Sequence, residues 1–246
     1  MSFFGFSTLQ AQCPTSDVYI GDVQDLELYQ ANYPDCTELN VNLTIFIRNP
    51  DLNSIPPPFR DISELSKIER INGILTIAGS LEIDPGGDLQ YYASIYMPNL
   101  TYVHKLVLAD TRGGLGGLFT NISEIDILKV TDNYFMTELP VTEEPIKINE
   151  SLIIEDNGRL RSIGNLMLTD SMKEVIIVEN ELSGEPLMIL DDLKYVENLH
   201  LDATTIESID SEVFVENELV LTNNYSLIDI SGIAVGNSLD LSLIHI

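Results

Sequence analysis

Glu155, Asp156 and Glu179 have the residue type and spacing for hydrolytic chemistry. Two carboxyl groups converging on a glycosidic bond can serve as acid and base, or as acid and nucleophile. Glu179 lies 23 residues after Asp156, so a coiled chain of that period would place them on successive turns. Acids recur at the same point of the pattern as Asp110 and Asp132, however, and repetition favours a surface over a single reactive site. His104, His200 and His245 are the only histidines, and none has a Ser, Cys or second ligand at motif spacing. Asp84-Pro-Gly-Gly-Asp88 offers carboxylates to a hard cation but too few of them, and reads as a turn. The run Arg112-Gly-Gly-Leu-Gly-Gly-Leu118 lacks the spacing of a dinucleotide fingerprint and the Lys-Ser/Thr of a phosphate loop. It reads as an insertion between structural units. Tyr91, Tyr92 and Tyr96, with Tyr102 close by, are candidate ligand contacts, because exposed aromatic rings suit protein or glycan surfaces. The competing reading packs that loop on its own coil. No catalytic residue, metal ligand or cofactor is assigned.

The elements that would position these side chains repeat. Leu-x-Ile/Leu/Val followed by a closing Asn, Ser or Thr occurs from Leu75, Leu106, Leu128, Leu152, Val175, Leu199 and Leu219. The intervals are 31, 22, 24, 23, 24 and 20 residues. Leu43-Thr-Ile45 is an earlier copy and Leu239-Asp-Leu241 begins a later one. A period in this range means a solenoid, in which one supersecondary unit stacks on the next. Each phrase alternates, so Leu152 and Ile154 face one way while Ile153 and Glu155 face the other. The expected fold is a β-rich repeat solenoid with one main parallel sheet, its short strands at 43–46, 74–78, 105–109, 127–131, 151–155, 174–178, 198–202 and 218–222. Leu65, Ile68 and Ile71, and later Ile206, Ile209 and Val213, would line the other walls. His200, between Leu199 and Leu201, should face outwards.

Asn133, Asn157, Asn180 and Asn224 each lie five residues after the opening apolar residue. Asn tolerates the left-handed backbone conformation, and its amide can bond to the backbone of a neighbouring coil. These residues are expected to form a turn ladder in preference to a polar or metal-binding row. Near the other end, Asp22 can cap a short helix with Val23, Leu26 and Tyr29 on one face.

Ile68-x-x-Ile-x-Gly-x-Leu75-x-Ile77, Leu160-x-x-Ile163 leading to Val175-Ile-Ile177, and Cys36-Thr-Glu-Leu-Asn-Val-Asn-Leu43-Thr-Ile45 resemble the receptor L-domain family of leucine-rich-repeat-like solenoids. The resemblance spans residues 13–240. It departs from the family in long intervals, with loops inserted at 50–60 and 82–98, and in the absence of the Ile-x-Gly glycine from most later repeats. It implies a right-handed coil, used in surface and receptor-ectodomain proteins, and carries over no catalytic residue. It also implies that Cys36, just before the first coil, pairs with Cys13. Such a bond would hold the helix over the first coil and contribute about 3 kcal/mol on the chain-entropy model. Two separate buried thiols are the alternative.

Composition narrows the function. A formal charge of −27 with only 12 basic residues opposes binding to nucleic acid phosphates, and to an anionic membrane surface. No apolar run is long enough to span a bilayer as a helix. Residues 1–12, with Phe3-Phe4-Gly5-Phe6, read as the remnant of a secretion signal. Residues 13–240 read as one solenoid, of which 13–42 form the N-terminal cap. Leu241-Ser-Leu-Ile-His-Ile246 matches one reading frame of a common sequencing adapter, so 241–246 are expected to be a non-native tail. The expected function is a non-enzymatic, extracellular or cell-surface module that binds a protein or glycan. The alternatives are a β-helix enzyme acting on polysaccharide and a structural spacer of a larger surface protein.

Overall fold

The computed structural model describes residues 13–46, 65–79, 95, 97–111, 118–134, 136–139, 142–180, 182, 188–202, 209, 212–227 and 229–242. Tyr91, Tyr92, Tyr96, Ile206, His245, the Asp84–Asp88 turn, the 50–60 loop, residues 1–12 and the core of the Gly-rich run lie outside them. The chain runs β1 (Val18–Ile20), α1 (Val23–Asn32), β2 (Glu38–Leu39), β3 (Leu43–Phe46), β4 (Arg70–Ala78), β5 (Tyr102–Ala109) and β6 (Glu124–Thr131). It continues through β7 (Ile146–Glu155), β8 (Leu166–Leu168), β9 (Ser171–Val178), β10 (Tyr195–Asp202), β11 (Val213–Thr222), β12 (Ile233–Val235) and β13 (Ser238–Ser242). All strands join one parallel sheet in the order β1-β3-β4-β5-β6-β7-β9-β10-β11-β12, with β2 beside β4, β8 beside β7 and β13 beside β11. The result is a parallel β-solenoid of about seven turns.

Alternation in the sequence builds the core. Leu43, Leu75, Leu106, Leu128, Leu152, Val175, Leu199 and Leu219 stand in register and form one inward column. Ile45, Ile77, Leu108, Val130, Ile154, Ile177, Leu201 and Leu221 form a second, and no member of either column is more than 1% exposed. Each such side chain contributes about 1.5–3 kcal/mol through burial. Leu65, Ile68, Ile71, Ile209 and Val213 are buried on the other walls.

The strands end where the alternating phrase ends, but β4 to β11, leaving β8 aside, begin three to five residues before the predicted starts. The phrase marks only the second arm of each strand. A first arm precedes it, and irregularities between Ile71 and Ile74, Ile125 and Ile127, and Val196 and Asn198 mark the join. Here β4, β7 and β11 each carry one residue more than the neighbour they oppose, as a β-bulge does. Those two-for-one steps break the period of two, so sequence alternation alone stops at the bend. At one of them, Gly73, an added Cβ would lie 2.4 Å from the Val41 carbonyl oxygen, so only glycine fits.

The N-terminal end is closed by α1. Asp22 is its N-cap and accepts from the Asp25 N–H at 3.0 Å, while Leu26 and Tyr29 turn inwards. Cys13 and Cys36 are disulfide-bonded. At the other end β13 keeps register with β11, Leu239 beside Leu219 and Leu241 beside Leu221. No helix among the described residues is long and apolar enough to cross a membrane.

Candidate functional site

Two faces of the coil carry polar chemistry: the corner after each strand and the outer surface of the sheet. At the corner, Asn133, Asn157, Asn180 and Asn224 are buried. Each donates its amide to a carbonyl of the preceding coil: Asn133 to Leu108 at 3.1 Å, Asn157 to Val130 at 3.0 Å, Asn180 to Ile154 at 2.9 Å and Asn224 to Leu201 at 2.8 Å. Asn133, Asn157 and Asn180 also bond to carbonyls two residues back in their own coil. They are chained as well, Asn133 donating to the Asn157 side-chain oxygen at 2.9 Å and Asn157 to that of Asn180 at 3.0 Å. Thr111 closes the head of the row, its N–H donating to Asn133 Oδ1 at 2.7 Å.

One expectation needs correction here. The left-handed residue is not the Asn but the one before it: Asp110, Asp132, Asp156, Glu179 and Asn223 have φ between 52° and 58°. The amide must point into the coil to reach the previous coil's carbonyls. The backbone reversal therefore falls one residue earlier, where the side chain points out.

That reversal produces the acidic row. Asp156 and Glu179 are exposed, and the Asp156 carboxylate, by accepting a hydrogen bond from the protonated form of Glu179 and by its charge, holds the Glu179 carboxyl above its ordinary pKa. Glu155 is engaged separately, by the Lys129 ammonium at 2.6 Å on the outer sheet face. The three acids considered for hydrolysis are thus split between an open corner and a strand surface. Among the described residues no group of three or more His, Cys, Asp or Glu could hold a metal ion.

The outer face is built from the residues that alternate with the core. On the second arm its centre runs Thr76, Val107, Lys129, Ile153, Ile176, His200 and Val220, in register and all half-buried. His200 bonds Glu218 at 3.0 Å. On the first arm, Asp126 collects three donors: the Tyr102 hydroxyl at 2.5 Å, His104 Nδ1 at 2.8 Å and the Asn149 amide at 2.9 Å. Burial alone would raise the Asp126 pKa, but these hydrogen bonds outweigh it and hold the carboxyl below its ordinary value. Burial and then the bond to Asp126 push the Tyr102 phenol to about 12. The Arg70 guanidinium lies over the Tyr102 ring, 4.1 Å from its centroid. Farther along the same arm, Tyr195 donates to Glu216 and packs beside Phe214 with ring centroids 6.2 Å apart. The hydrogen bond to Glu216, then burial, pushes the Tyr195 phenol to about 12.

Tyr102 is among the tyrosines singled out from the sequence, but its partners and the whole Tyr195 cluster are not, because both clusters begin before the bend, outside the alternating phrase. The signal was present as Tyr102-Val-His-Lys-Leu-Val-Leu108 and Tyr195-Val-Glu-Asn-Leu-His-Leu201, a longer repeat than the phrase itself. No known family model matches this chain, and neither a curated protein nor a solved structure matches it.

Proposed function

We propose that the chain is a non-enzymatic binding module of receptor L-domain type, exported to the cell surface or the extracellular space, which recognises a protein or glycan through its outer sheet face. The observation that carries this reading is the continuity of that face. Residues on seven successive coils stand in register, presenting half-exposed Val107, Ile153, Ile176 and Val220, with Lys129 and His200 interspersed, beside the Tyr102 and Tyr195 clusters. Apolar strips rimmed by polar groups mark interaction sites, and solenoids use such extended surfaces for binding. The Cys13–Cys36 bond accords with an oxidising compartment.

The test is retention on a glycan array and on an array of extracellular protein domains. Wild-type chain should retain a ligand that the Ile153→Glu/Ile176→Glu double variant, shown to be folded by circular dichroism, loses at least tenfold. Asp132→Asn, on the corner, should keep it. Equal retention by the double variant would overturn the assigned face. Release of reducing ends from a polysaccharide, lost in Glu179→Gln, would establish the enzyme instead. Silence on both arrays would favour the structural spacer.

A further inference from the structure

The two aromatic clusters are copies of one arrangement, and one copy lacks a part. Tyr102 opens β5 and Tyr195 opens β10, each followed by an inward Val and then the Leu-x-Leu phrase. Each hydroxyl donates to a carboxylate on the next coil: Tyr102 to Asp126 and Tyr195 to Glu216. The register is the same as well, since Glu124 stands opposite Tyr102 and Phe214 opposite Tyr195, each two residues before the accepting acid. On the preceding coil Arg70 stands opposite Tyr102 and covers its ring. The residue opposite Tyr195 is Ser171, too short to reach a ring face and without charge. Lys173 is bonded to Glu150 at 2.6 Å, and among the described residues neither it nor Lys194 is placed over the Tyr195 ring.

The surroundings of the second copy call for a cation. Glu174, Glu197, Glu216 and Glu218 lie on the same stretch of outer face, with only Lys173, held by Glu150, and His200, bonded to Glu218 at 3.0 Å, set against them among the described residues, and Phe214 is 42% exposed beside the tyrosine. A guanidinium suits such a place better than an ammonium, because it stacks on aromatic rings and bonds carboxylates with a planar fork.

We infer that the Tyr195–Phe214–Glu216 cluster receives an arginine side chain from a protein partner, occupying the place that Arg70 fills over Tyr102. This rests on the binding-module reading above and deepens it by choosing protein over glycan and a basic segment over a neutral or acidic one. Association should weaken with salt, as exposed charge pairs do.

The experiment is an NMR titration of the full chain with acetyl-Gly-Arg-Gly-Arg-Gly-amide, alongside peptides carrying citrulline or lysine in place of arginine. The arginine peptide should shift resonances of Tyr195, Phe214 and Glu216 in a saturable way. The citrulline peptide, neutral but alike in shape, should bind at least tenfold more weakly. Ser171→Arg, at an exposed position, should supply the cation from the chain itself and abolish peptide binding without loss of fold. Arg70→Ser should open a second locus at Tyr102 and double the stoichiometry. Shifts spread over the acidic surface and unchanged in Ser171→Arg would show general charge attraction and overturn the inference. So would preferential binding of maltohexaose at Tyr195 and Phe214, which would leave the binding module standing with a glycan as its ligand. If the outer-face double variant retains its array ligand in full, the failure lies instead with the face assigned above, and silence on both arrays would place it with the module reading.

Discussion

Replacing Asn157 by Ala tests the corner ladder most directly. The side chain is 0% exposed. Its amide donates to the Val130 carbonyl at 3.0 Å, the Glu155 carbonyl at 2.8 Å and Asn180 Oδ1 at 3.0 Å. Its oxygen accepts from the Asn133 N–H at 3.1 Å and from the Asn133 amide at 2.9 Å. Truncation does not harm all five partners equally. The Asn133 amide keeps Leu108 and Thr131, and the Glu155 carbonyl keeps the Asp132 N–H at 3.4 Å. The Asn133 N–H and Asn180 Oδ1 lose the partner that Asn157 gives them, and the Val130 carbonyl loses its side-chain donor. Leaving a buried polar group unsatisfied costs about 1–3 kcal/mol each, so the expected loss is about 3–5 kcal/mol. Urea unfolding followed by circular dichroism reads it. Asn180→Ala in the same background should be non-additive by about 1–2 kcal/mol, because the two residues share a bond. A loss under about 1 kcal/mol for Asn157→Ala, or strict additivity, would refute the view that the ladder ties coil to coil.

Three further outcomes are expected. Leu152→Ala empties a place in an interior column and should cost about 2–5 kcal/mol, while Glu155→Ala removes a partly exposed ion pair with Lys129 and should cost less than about 1 kcal/mol; equal unfolding midpoints would contradict the assigned faces. Mass spectrometry without reductant should show Cys13 bonded to Cys36, and reduction should lower stability by about 3 kcal/mol; two freely alkylated thiols would end the account of the cap. Glu179 binds its proton more tightly folded than unfolded, so its contribution rises as pH falls from above its raised pKa towards the ordinary carboxylate value. Glu179→Asn, which also suits the left-handed backbone at φ 53°, should flatten that rise and stabilise at neutral pH; an unchanged pH profile would show that the Asp156–Glu179 contact does not form.

The solenoid was legible because its core obeys one period on every coil. Leu152 and Ile154 announce a buried column wherever their counterparts recur, and every such strand ends at the predicted residue. The closing Asn residues were legible for the same reason. What escaped lies where the period breaks. Asn149 and Glu150 both face the single Asp126 across the bend, so alternation read along β7 loses phase before it reaches Lys147. The polar clusters also depend on pairings between residues 18–26 positions apart, such as Tyr102 with Asp126 and Lys129 with Glu155, which a window along the chain does not join. The left-handed residue was misplaced by one position because propensity favours Asn for both tasks, and only the inward pull of the amide decides between them.

Variation among the chain's own coils shows which side of the sheet packing leaves free to vary. At the inward position of the first arm stand Ile71, Val103, Ile125, Ile148, Met172, Val196, Val215 and Val235, aliphatic or thioether without exception. One residue earlier, facing out, stand Arg70, Tyr102, Glu124, Lys147, Ser171, Tyr195, Phe214 and Ala234, which span cationic, anionic, aromatic, hydroxyl and small side chains. The first row is fixed by packing, because a polar group there would lose its water without gaining a partner. The second row meets no such constraint. It could have been filled with Thr and Lys throughout at little cost to stability. A row that the fold leaves unconstrained, yet which twice assembles a tyrosine hydroxyl against a carboxylate on the next coil, is the part of this surface that stability does not explain.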